Sequence, residues 1–214
     1  MQLYNSLGPN PRVVRMFMAE KGIDLPTTEV DVRGGENRQG PYLELNPGGQ
    51  LPALELEDGS VIAEITAICE YLEDTSPEPA MIGANAVEKA ETRMWARRCD
   101  LGVCEPLANG FRFAEGLALF KDRMRCLPEA ADGLKASVQD KLAWLDGLLE
   151  GKQFLAGDRF TLADIMLYSF LDFGASVGQS VDPKLAALGG WYGRVASRPS
   201  ASASIHPAAG DIRG

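Results

Sequence analysis

The residues with the clearest capacity for chemistry are Leu51 and Pro52, followed by Glu64, Ile65 and Thr66. Pro52 stands just before an expected strand, and X-Pro bonds are the common route to a cis peptide. A cis bond here would turn the backbone N–H and C=O of Leu51 away from the sheet, where they could pair with a peptide-like ligand. Glu64 begins an expected helix, whose free N–H groups and dipole attract a carboxylate. The carboxylate of Glu64 can hold an ammonium group, and Thr66 adds a hydroxyl. A free γ-glutamyl peptide has the complementary groups.

These residues lie in a stretch whose turns and strands can be assigned from residue types. The Pro-Gly-Gly run at residues 47–49 is a turn signal, and Ala53–Leu56 is expected to form a short strand. Asp58-Gly59 is a strong hairpin signal, so Val61–Ala63 is expected to pair back as the next strand. A helix then begins near Glu64.

The segments before this stretch complete an alternating pattern. A strand is expected at Met1–Tyr4 and a helix at Pro11–Lys21, where apolar residues recur on one face. A strand at Thr28–Val32 and a short helix at Pro41–Leu45 follow. The order β-α-β-α-β-β-α resembles a thioredoxin-like half-domain.

The rest of the chain is expected to be helical. Two prolines and a glycine break any periodic pattern between Asp74 and Ala84. Long helices are predicted from Val87 to about Leu107, from Phe111 to Cys126, and along the leucine-rich stretch 134–149. The predicted division is a first domain at 1–76, a linker at 77–86 and an all-helical domain at 87–214.

A second strong signal is the pair Thr161 and Asp164. Thr161 can cap a helix, and Asp164 can accept a hydrogen bond from the Thr161 backbone N–H, as in a capping box. The helix that follows is apolar on nearly every face, which predicts the buried central helix of the second domain.

The run Asn46-Pro-x-Gly-Gln-Leu-Pro-Ala-Leu, followed by Asp58-Gly59 and Glu64-x-Thr66-Ala-Ile68, resembles the glutathione-binding half of the cytosolic glutathione transferases. The capped apolar helix resembles the second domain of that family. The resemblance implies an α/β thioredoxin-like N-terminal domain and an all-α C-terminal domain. It implies that the backbone before Pro52 pairs with the cysteinyl unit of glutathione, and that Glu64 and Thr66 hold its γ-glutamyl end.

The resemblance also implies further contacts to glutathione. Gln50 is expected to reach the glutathione backbone or its glycyl carboxylate, and Asn37 or Arg38 stands where family members place a side chain on the glycyl end. Asp100 corresponds to an acidic residue that crosses the dimer interface to the γ-glutamyl ammonium in several classes. The alternative for Asp100 is a solvated charge on a helix.

The family stabilises the glutathione thiolate, the nucleophile, with a donor after the first strand. Pro9-Asn10-Pro11 resembles the Pro-Ser-Pro of the plant tau class, with Asn10 in place of Ser. Asn10 can donate through its NH₂ group but has no labile proton. The alternative is that Asn10 is only an N-cap, with Pro11 as the first helical residue. Ser6 is the other candidate donor, and Tyr4 is expected to be structural.

The second-substrate pocket is expected between the Ser6–Asn10 loop and helices of the second domain. The candidate residues are Trp95, Arg98 and Phe111, with Glu105 and Phe113 nearby. The sequence does not assign which of these side chains face the pocket.

The amino-acid composition argues against several kinds of binding partner. The net charge of −9 and a pI near 4.7 argue against nucleic acid, which needs a basic surface. No apolar run approaches the roughly 20 residues that span a bilayer, and no signal-peptide pattern opens the sequence. The four cysteines form no C-x-x-C pair, and a single histidine, His206, gives no support for a metal site. We therefore expect a metal-free, cytoplasmic protein.

The functional prediction is a homodimeric glutathione transferase that uses glutathione as co-substrate against a small apolar electrophile, as in detoxification. Two alternatives stay open. One is a glutathione-dependent lyase, dehalogenase or reductase on the same scaffold. The other is a glutathione-binding carrier without catalysis, because a fold does not fix a function.

Overall fold

The computed structural model describes residues 1–210. The chain forms two compact units. The first comprises Met1–Met81 together with Pro199–Gly210, and the second begins at Ile82 and runs to Arg198. The C-terminal segment Pro199–Gly210 therefore belongs with the first unit. The domain boundaries predicted from the sequence stay a prediction, and their last four residues lie outside the described residues.

The first unit is built on a four-stranded mixed sheet in the order β2-β1-β3-β4. Strand β1 pairs in parallel with β2 and antiparallel with β3, which pairs antiparallel with β4. In this register Leu3 lies opposite Thr27 on one side and Leu54 on the other. The strands are β1 (Gln2–Asn5), β2 (Thr27–Glu29), β3 (Ala53–Glu55) and β4 (Val61–Ala63).

The helices of this unit are α1 (Pro9–Lys21), α2 (Gly40–Leu45), α3 (Ile65–Thr75) and, in the C-terminal segment, α10 (Pro199–Ala203), with a 3₁₀ turn at Glu36–Arg38. Helix α1 packs against both α3 and α10. Val13, Val14 and Phe17 of α1 are fully buried, as is Ile68 of α3. This apolar packing fixes both helices whose first turns carry the candidate site.

The second unit is helical. Its elements are α4 (Ala86–Cys99), a π-helical turn (Asp100–Cys104), α5 (Glu105–Arg112), α6 (Leu117–Phe120), a 3₁₀ turn (Pro128–Ala130), α7 (Ala131–Leu149), α8 (Leu162–Ser176) and α9 (Ala186–Ala196). Helix α8 is buried over most of its length and packs against α4, α5 and α9. The structure confirms the central buried helix and the fold class predicted from the sequence.

Two predicted helices differ from the structure. The helix expected at Phe111–Cys126 is wrong, because α5 ends at Arg112, the chain turns there, and Leu117–Phe120 is the α-helical part of the remaining stretch. A Cβ on Gly116 would lie 2.8 Å from the Phe111 ring, so the chain folds back tightly over that ring. Helix α1 begins two residues earlier than expected, at Pro9, which changes the position of Asn10.

No helix among the described residues is long and apolar enough to cross a membrane. Within residues 1–210, no group of three or more His, Cys, Asp or Glu side chains is arranged to hold a metal ion.

Candidate functional site

The Leu51–Pro52 peptide bond is cis. The carbonyl of the preceding residue, Gln50, accepts hydrogen bonds from the Tyr42 hydroxyl at 2.7 Å and from Asn46 Nδ2 at 2.8 Å. Burial raises the pKa of Tyr42 to about 12, and its hydroxyl is the donor to this carbonyl. The loop before β3 is therefore held by side chains of α2 and of the turn that follows it.

The Leu51 side chain packs with Val30 and Tyr42 in a small apolar cluster. Its backbone N–H and C=O have no hydrogen-bond partner among residues 1–210. Backbone polar groups are obligatory hydrogen-bonding groups. The pair at Leu51 therefore offers one donor and one acceptor to an extended, peptide-like ligand.

Glu64 precedes helix α3 with φ 71° and ψ 127°, in the range that favours glycine. Such a conformation costs a non-glycine residue on the order of 1–3 kcal/mol, and strained residues of this kind cluster at ligand sites. The Glu64 side chain is exposed, and its backbone carbonyl accepts the Ile68 N–H at 3.0 Å. The carboxylate lies at the surface, where it can meet a cationic group.

The first turn of α3 contains Ile65 and Thr66, both partly exposed. In the described part of the chain, no side chain caps this helix start. The free N–H groups and the helix dipole there suit a carboxylate. Thr66 and Glu64 thus bring a hydroxyl and a negative charge beside an anion-binding helix end.

The structure gives Asn37 and Arg38 different surroundings. Asn37 is buried, and its Nδ2 donates to the Gly49 carbonyl at 2.7 Å. Arg38 is exposed, and one guanidinium nitrogen lies 3.0 Å from where a Cβ on Gly49 would be. Asn37 braces the loop, whereas Arg38 and the exposed Gln50 present polar groups at its surface. Arg38 therefore presents its guanidinium at the surface, whereas the Asn37 amide is enclosed by the loop.

Asn10 is not the N-cap of α1, so the capping alternative considered from the sequence is wrong. Gly8 occupies the N-cap position with φ 108°, and the helix begins at Pro9. A φ of this sign favours glycine, and it allows the chain to enter the helix two residues ahead of the expected start. Asn10 lies in the first helical turn and is partly exposed.

The other two donors considered from the sequence have partners. The Ser6 hydroxyl is buried and donates to the Val30 carbonyl at 2.7 Å. The Tyr4 hydroxyl donates to Glu55 Oε2 at 2.8 Å, and this bond, with burial, raises the pKa of Tyr4. The Asn10 side chain makes no hydrogen bond within residues 1–210. Of the three candidates, Asn10 is the one whose side-chain N–H donors are not already hydrogen-bonded in the described part of the chain.

Two of the three second-substrate candidates lie in one cluster of the second unit. The Arg98 guanidinium lies 4.9 Å from the centroid of the Trp95 ring, and Trp95 itself is buried. The Trp144 ring lies 6.5 Å from Trp95, with Lys141 Nζ 4.1 Å from the Trp144 centroid. Cation–aromatic contacts of this kind stabilise the pair of α4 and α7 side chains.

Phe111 belongs to a different cluster. Its ring meets Phe173 edge-on at 5.1 Å and Phe120 at 6.2 Å. In the described residues, no ring contact joins Phe111 to Trp95 or Arg98. The Phe111 cluster offers a partly exposed aromatic surface.

Asp100 is half-buried at the start of the π-helical turn. Its Oδ2 lies 3.2 Å from Arg97 Nη1. Burial raises the pKa of Asp100, and the charge of Arg97 opposes this rise. The side chain is half-buried and paired with Arg97, and its role across a dimer interface stays a prediction.

The cysteines offer no reactive thiol in the buried part of the molecule. Cys69, Cys99 and Cys104 are buried and free. Burial raises the pKa of each of these three thiols. Raised thiol pKa values disfavour the thiolate that a nucleophile needs.

Sequence reasoning missed the residues that brace the site. Tyr42 and Asn46 hold the Gln50 carbonyl, and Arg15 contacts the loop after β1. Asn46 stands in the motif run and could have been found as an asparagine that closes a turn. Tyr42 and Arg15 act through tertiary contacts, for which the sequence carries no local signal.

The four-stranded sheet with its flanking helices and the helical second unit define a thioredoxin-like domain followed by an all-helical domain. Residues 8–75 match the family described as glutathione S-transferase, N-terminal domain, and residues 126–199 match glutathione S-transferase, C-terminal domain.

Individual proteins agree with these matches. The chain is 32% identical to Glutathione S-transferase 2 of Saccharomyces cerevisiae, over 90% of this chain and 84% of that protein. It is 32% identical to a maleylacetoacetate isomerase of Pseudomonas aeruginosa, over 79% of this chain and 78% of that protein. A crystal structure of a glutathione S-transferase domain-containing protein from Marinobacter aquaeolei superposes with a TM-score of 0.87 at 36% identity, covering 94% of this chain and 99% of that one. The chain belongs to the glutathione S-transferase family.

Proposed function

We propose that the protein is a glutathione transferase that binds glutathione along Leu51 and at the start of α3, and stabilises its thiolate at the start of α1. The observation that carries the proposal is the pairing of two features in one unit. One is the unpartnered backbone edge at Leu51, and the other is the uncapped α3 N-terminus beside the strained Glu64. A free γ-glutamyl peptide supplies a backbone, a carboxylate and an ammonium group to match them.

Each end of glutathione has a proposed partner. The γ-glutamyl carboxylate meets the first-turn N–H groups and hydroxyl at Thr66, and the ammonium meets Glu64. The cysteinyl backbone pairs with Leu51. The glycyl carboxylate meets Arg38 and Gln50, which are exposed at the loop surface, while Asn37 braces that loop from inside.

The proposed reaction needs positioning and thiolate stabilisation rather than an acid–base residue. The thiol proton passes to solvent, because an asparagine has no proton to exchange. The sulfur then forms a bond to the electrophilic carbon, and the leaving group departs with the electron pair of the broken bond. Asn10 stabilises the sulfur through its side-chain NH₂ and its backbone N–H, with the α1 dipole adding to the effect.

The maleylacetoacetate isomerase among the relatives gives a second candidate, a glutathione-dependent isomerisation. Both reactions begin with the same thiolate, so their products rather than glutathione affinity separate them. A carrier without catalysis is the third candidate, and it requires only the binding contacts.

The test combines glutathione affinity by calorimetry with product analysis for an aryl halide such as chlorodinitrobenzene and for a cis-diketo acid. A glutathione conjugate with release of chloride supports the transferase. Isomerised diketo acid without a conjugate supports the isomerase, and binding without either product supports the carrier. Absence of glutathione binding would overturn the whole proposal.

We also propose that the protein is a homodimer. Val87 and Met94 of α4 and Leu101 of the π-helical turn follow one another at seven-residue spacing, and their side chains are 78%, 41% and 57% exposed. Exposed apolar side chains that recur every two turns form a stripe that a second copy can cover. The cytoplasmic location and the role in detoxification stay predictions.

A further inference from the structure

The guanidinium of Arg15 joins two segments that are far apart in the sequence. Its Nη1 donates to Asn5 Oδ1 at 2.6 Å and to the Ser6 carbonyl at 3.0 Å. Its Nε donates to the Ser204 carbonyl at 3.0 Å. Burial lowers the pKa of Arg15 to about 10, the charge of Glu29 opposes this effect, and Arg12 adds to it. The group therefore remains charged at neutral pH, and it ties the loop after β1 to the C-terminal segment Pro199–Gly210.

A second connection runs between the same two segments. Glu29 accepts hydrogen bonds from Asn5 Nδ2 and, at 2.9 Å, from His206 Nε2. His206 Nδ1 accepts the Ala208 N–H at 3.1 Å, so the proton of the neutral ring lies on Nε2 and is donated to Glu29. Asn5, which is only 2% exposed, is thus held at both ends of its amide.

This network acts on the helix start that carries Asn10. The Ser6 carbonyl, which Arg15 contacts, lies four residues before Asn10 and would accept the Asn10 N–H if the helix continued by another turn. Pro9 and Pro11 have no N–H, and the Arg12 N–H bonds the Gly8 carbonyl at 3.4 Å. In the described residues, the Asn10 N–H is therefore the one unpaired backbone donor of the first helical turn.

We propose that Arg15 is a positioning residue for thiolate stabilisation, because it holds Asn5 and Ser6 against the C-terminal segment and keeps the Asn10 N–H available to sulfur. This inference rests on the proposed function. Arg15 does not touch glutathione. It fixes where the chain enters α1, and the C-terminal segment is the anchor against which it does so.

The test compares Arg15→Met with Lys21→Met. Lys21 is a buried cation on the same helix, but it donates to Glu73 at 2.7 Å and to the Pro79 carbonyl at 2.7 Å. It is therefore a control for loss of a buried cation from α1 without a contact to the Asn5–Ser6 loop. The readout is the pKa of the thiol of bound glutathione, followed by thiolate ultraviolet absorbance as pH rises.

We expect Arg15→Met to raise the thiol pKa by about one unit toward that of free glutathione, a tenfold change in the thiolate equilibrium. The value of kcat at neutral pH should fall by about the same factor, whereas glutathione affinity should change less than about threefold, because the Leu51 and Glu64 contacts remain. Lys21→Met should leave the thiol pKa within about 0.2 unit of wild type. Arg15→Lys keeps one charged donor and should give an intermediate pKa.

The outcomes separate the two proposals. If wild-type protein binds glutathione without lowering its thiol pKa, the proposed function fails. If wild type lowers the thiol pKa and Arg15→Met shifts it no more than Lys21→Met, Arg15 is structural only and the inference is overturned. Should Arg15→Met fail to fold, Arg15→Lys decides, since an unchanged thiol pKa in that folded variant would count against the inference.

Discussion

Asp164 accepts four hydrogen bonds in the second unit. It is fully buried in the first turn of α8. Its Oδ2 accepts the Thr161 N–H and the Thr161 hydroxyl, each at 3.0 Å. Its Oδ1 accepts the Leu155 N–H at 2.9 Å and Trp191 Nε1 at 2.8 Å. Burial raises the pKa of Asp164, and these donors oppose the rise. One carboxylate therefore joins the α8 start, the loop before it and α9.

This arrangement sets the expected cost of Asp164→Ala. Loss of a capping residue alone costs about 0.5–2 kcal/mol. The Leu155 N–H and Trp191 Nε1 would also lose their acceptor, at about 1–3 kcal/mol for each buried donor left unsatisfied. We expect a total loss of about 3–5 kcal/mol, because water entering the small space recovers part of the sum. That is a large fraction of the 5–15 kcal/mol typical of a folded protein.

The assay is urea unfolding followed by tryptophan fluorescence. All three tryptophans, Trp95, Trp144 and Trp191, lie in the second unit, so the signal reports on that unit. Asp158→Ala is the matched control, because Asp158 is an exposed aspartate in the same loop, and its loss should change stability by no more than about 0.5 kcal/mol. An Asp164→Ala variant as stable as the Asp158→Ala control would refute the contribution to stability assigned to the hydrogen bonds of Asp164.

Three further predictions follow from the same kind of argument. Glu64→Ala should weaken glutathione binding by about 1.5–3 kcal/mol in calorimetry. Glu64→Gly should bind glutathione as weakly, but it should unfold at a higher urea concentration than Glu64→Ala, because glycine accepts φ 71°. Equal stabilities of the two variants would contradict backbone strain at Glu64. Lys21→Met should destabilise the first unit by about 3–5 kcal/mol, because it removes the ammonium that pairs with the buried Glu73 carboxylate at 2.7 Å. Adding Glu73→Gln should recover part of the loss, and no recovery would count against a charge effect. Under the proposed homodimer, Met94→Glu should shift the mass measured by light scattering from dimer to monomer, and an unchanged mass would remove Met94 from the proposed interface.

Much of the fold could be predicted, because its turns and helix caps are specified by residues that lie close together in the sequence. The Asp58-Gly59 turn and the alternation around it specify the β3–β4 hairpin, which the structure confirms. Thr161 and Asp164 lie three residues apart, so the capping box could be predicted from spacing alone, and the structure confirms it. The bonds from Leu155 and Trp191 to the same carboxylate could not be predicted, because they join residues brought together only by the fold.

The errors arise where tertiary contacts override local preference. The stretch after Phe111 has helical composition, but the fold places Gly116 against the Phe111 ring and the chain turns there. The predicted start of α1 is wrong, because an asparagine before a proline is a good N-cap by residue type. In the structure the chain enters the helix at Gly8, where the positive φ suits glycine.

The position of the cap bears on the chemistry of the proposed reaction. A capping asparagine accepts a backbone N–H of the helix through its side-chain oxygen, so the cap fixes the direction of its NH₂ group. With Gly8 as the cap, the Asn10 side chain is released from that role, while Ser6 and Tyr4 have their hydroxyl protons committed to Val30 and Glu55. The donors proposed for the thiolate are then an amide side chain and a backbone N–H, neither of which titrates near neutral pH. Under the proposed function, the rate of conjugation should therefore follow the ionisation of the bound thiol alone. A hydroxyl acting as a base would add a second ionisation to that profile, and the structure leaves no hydroxyl among these candidates free to supply it.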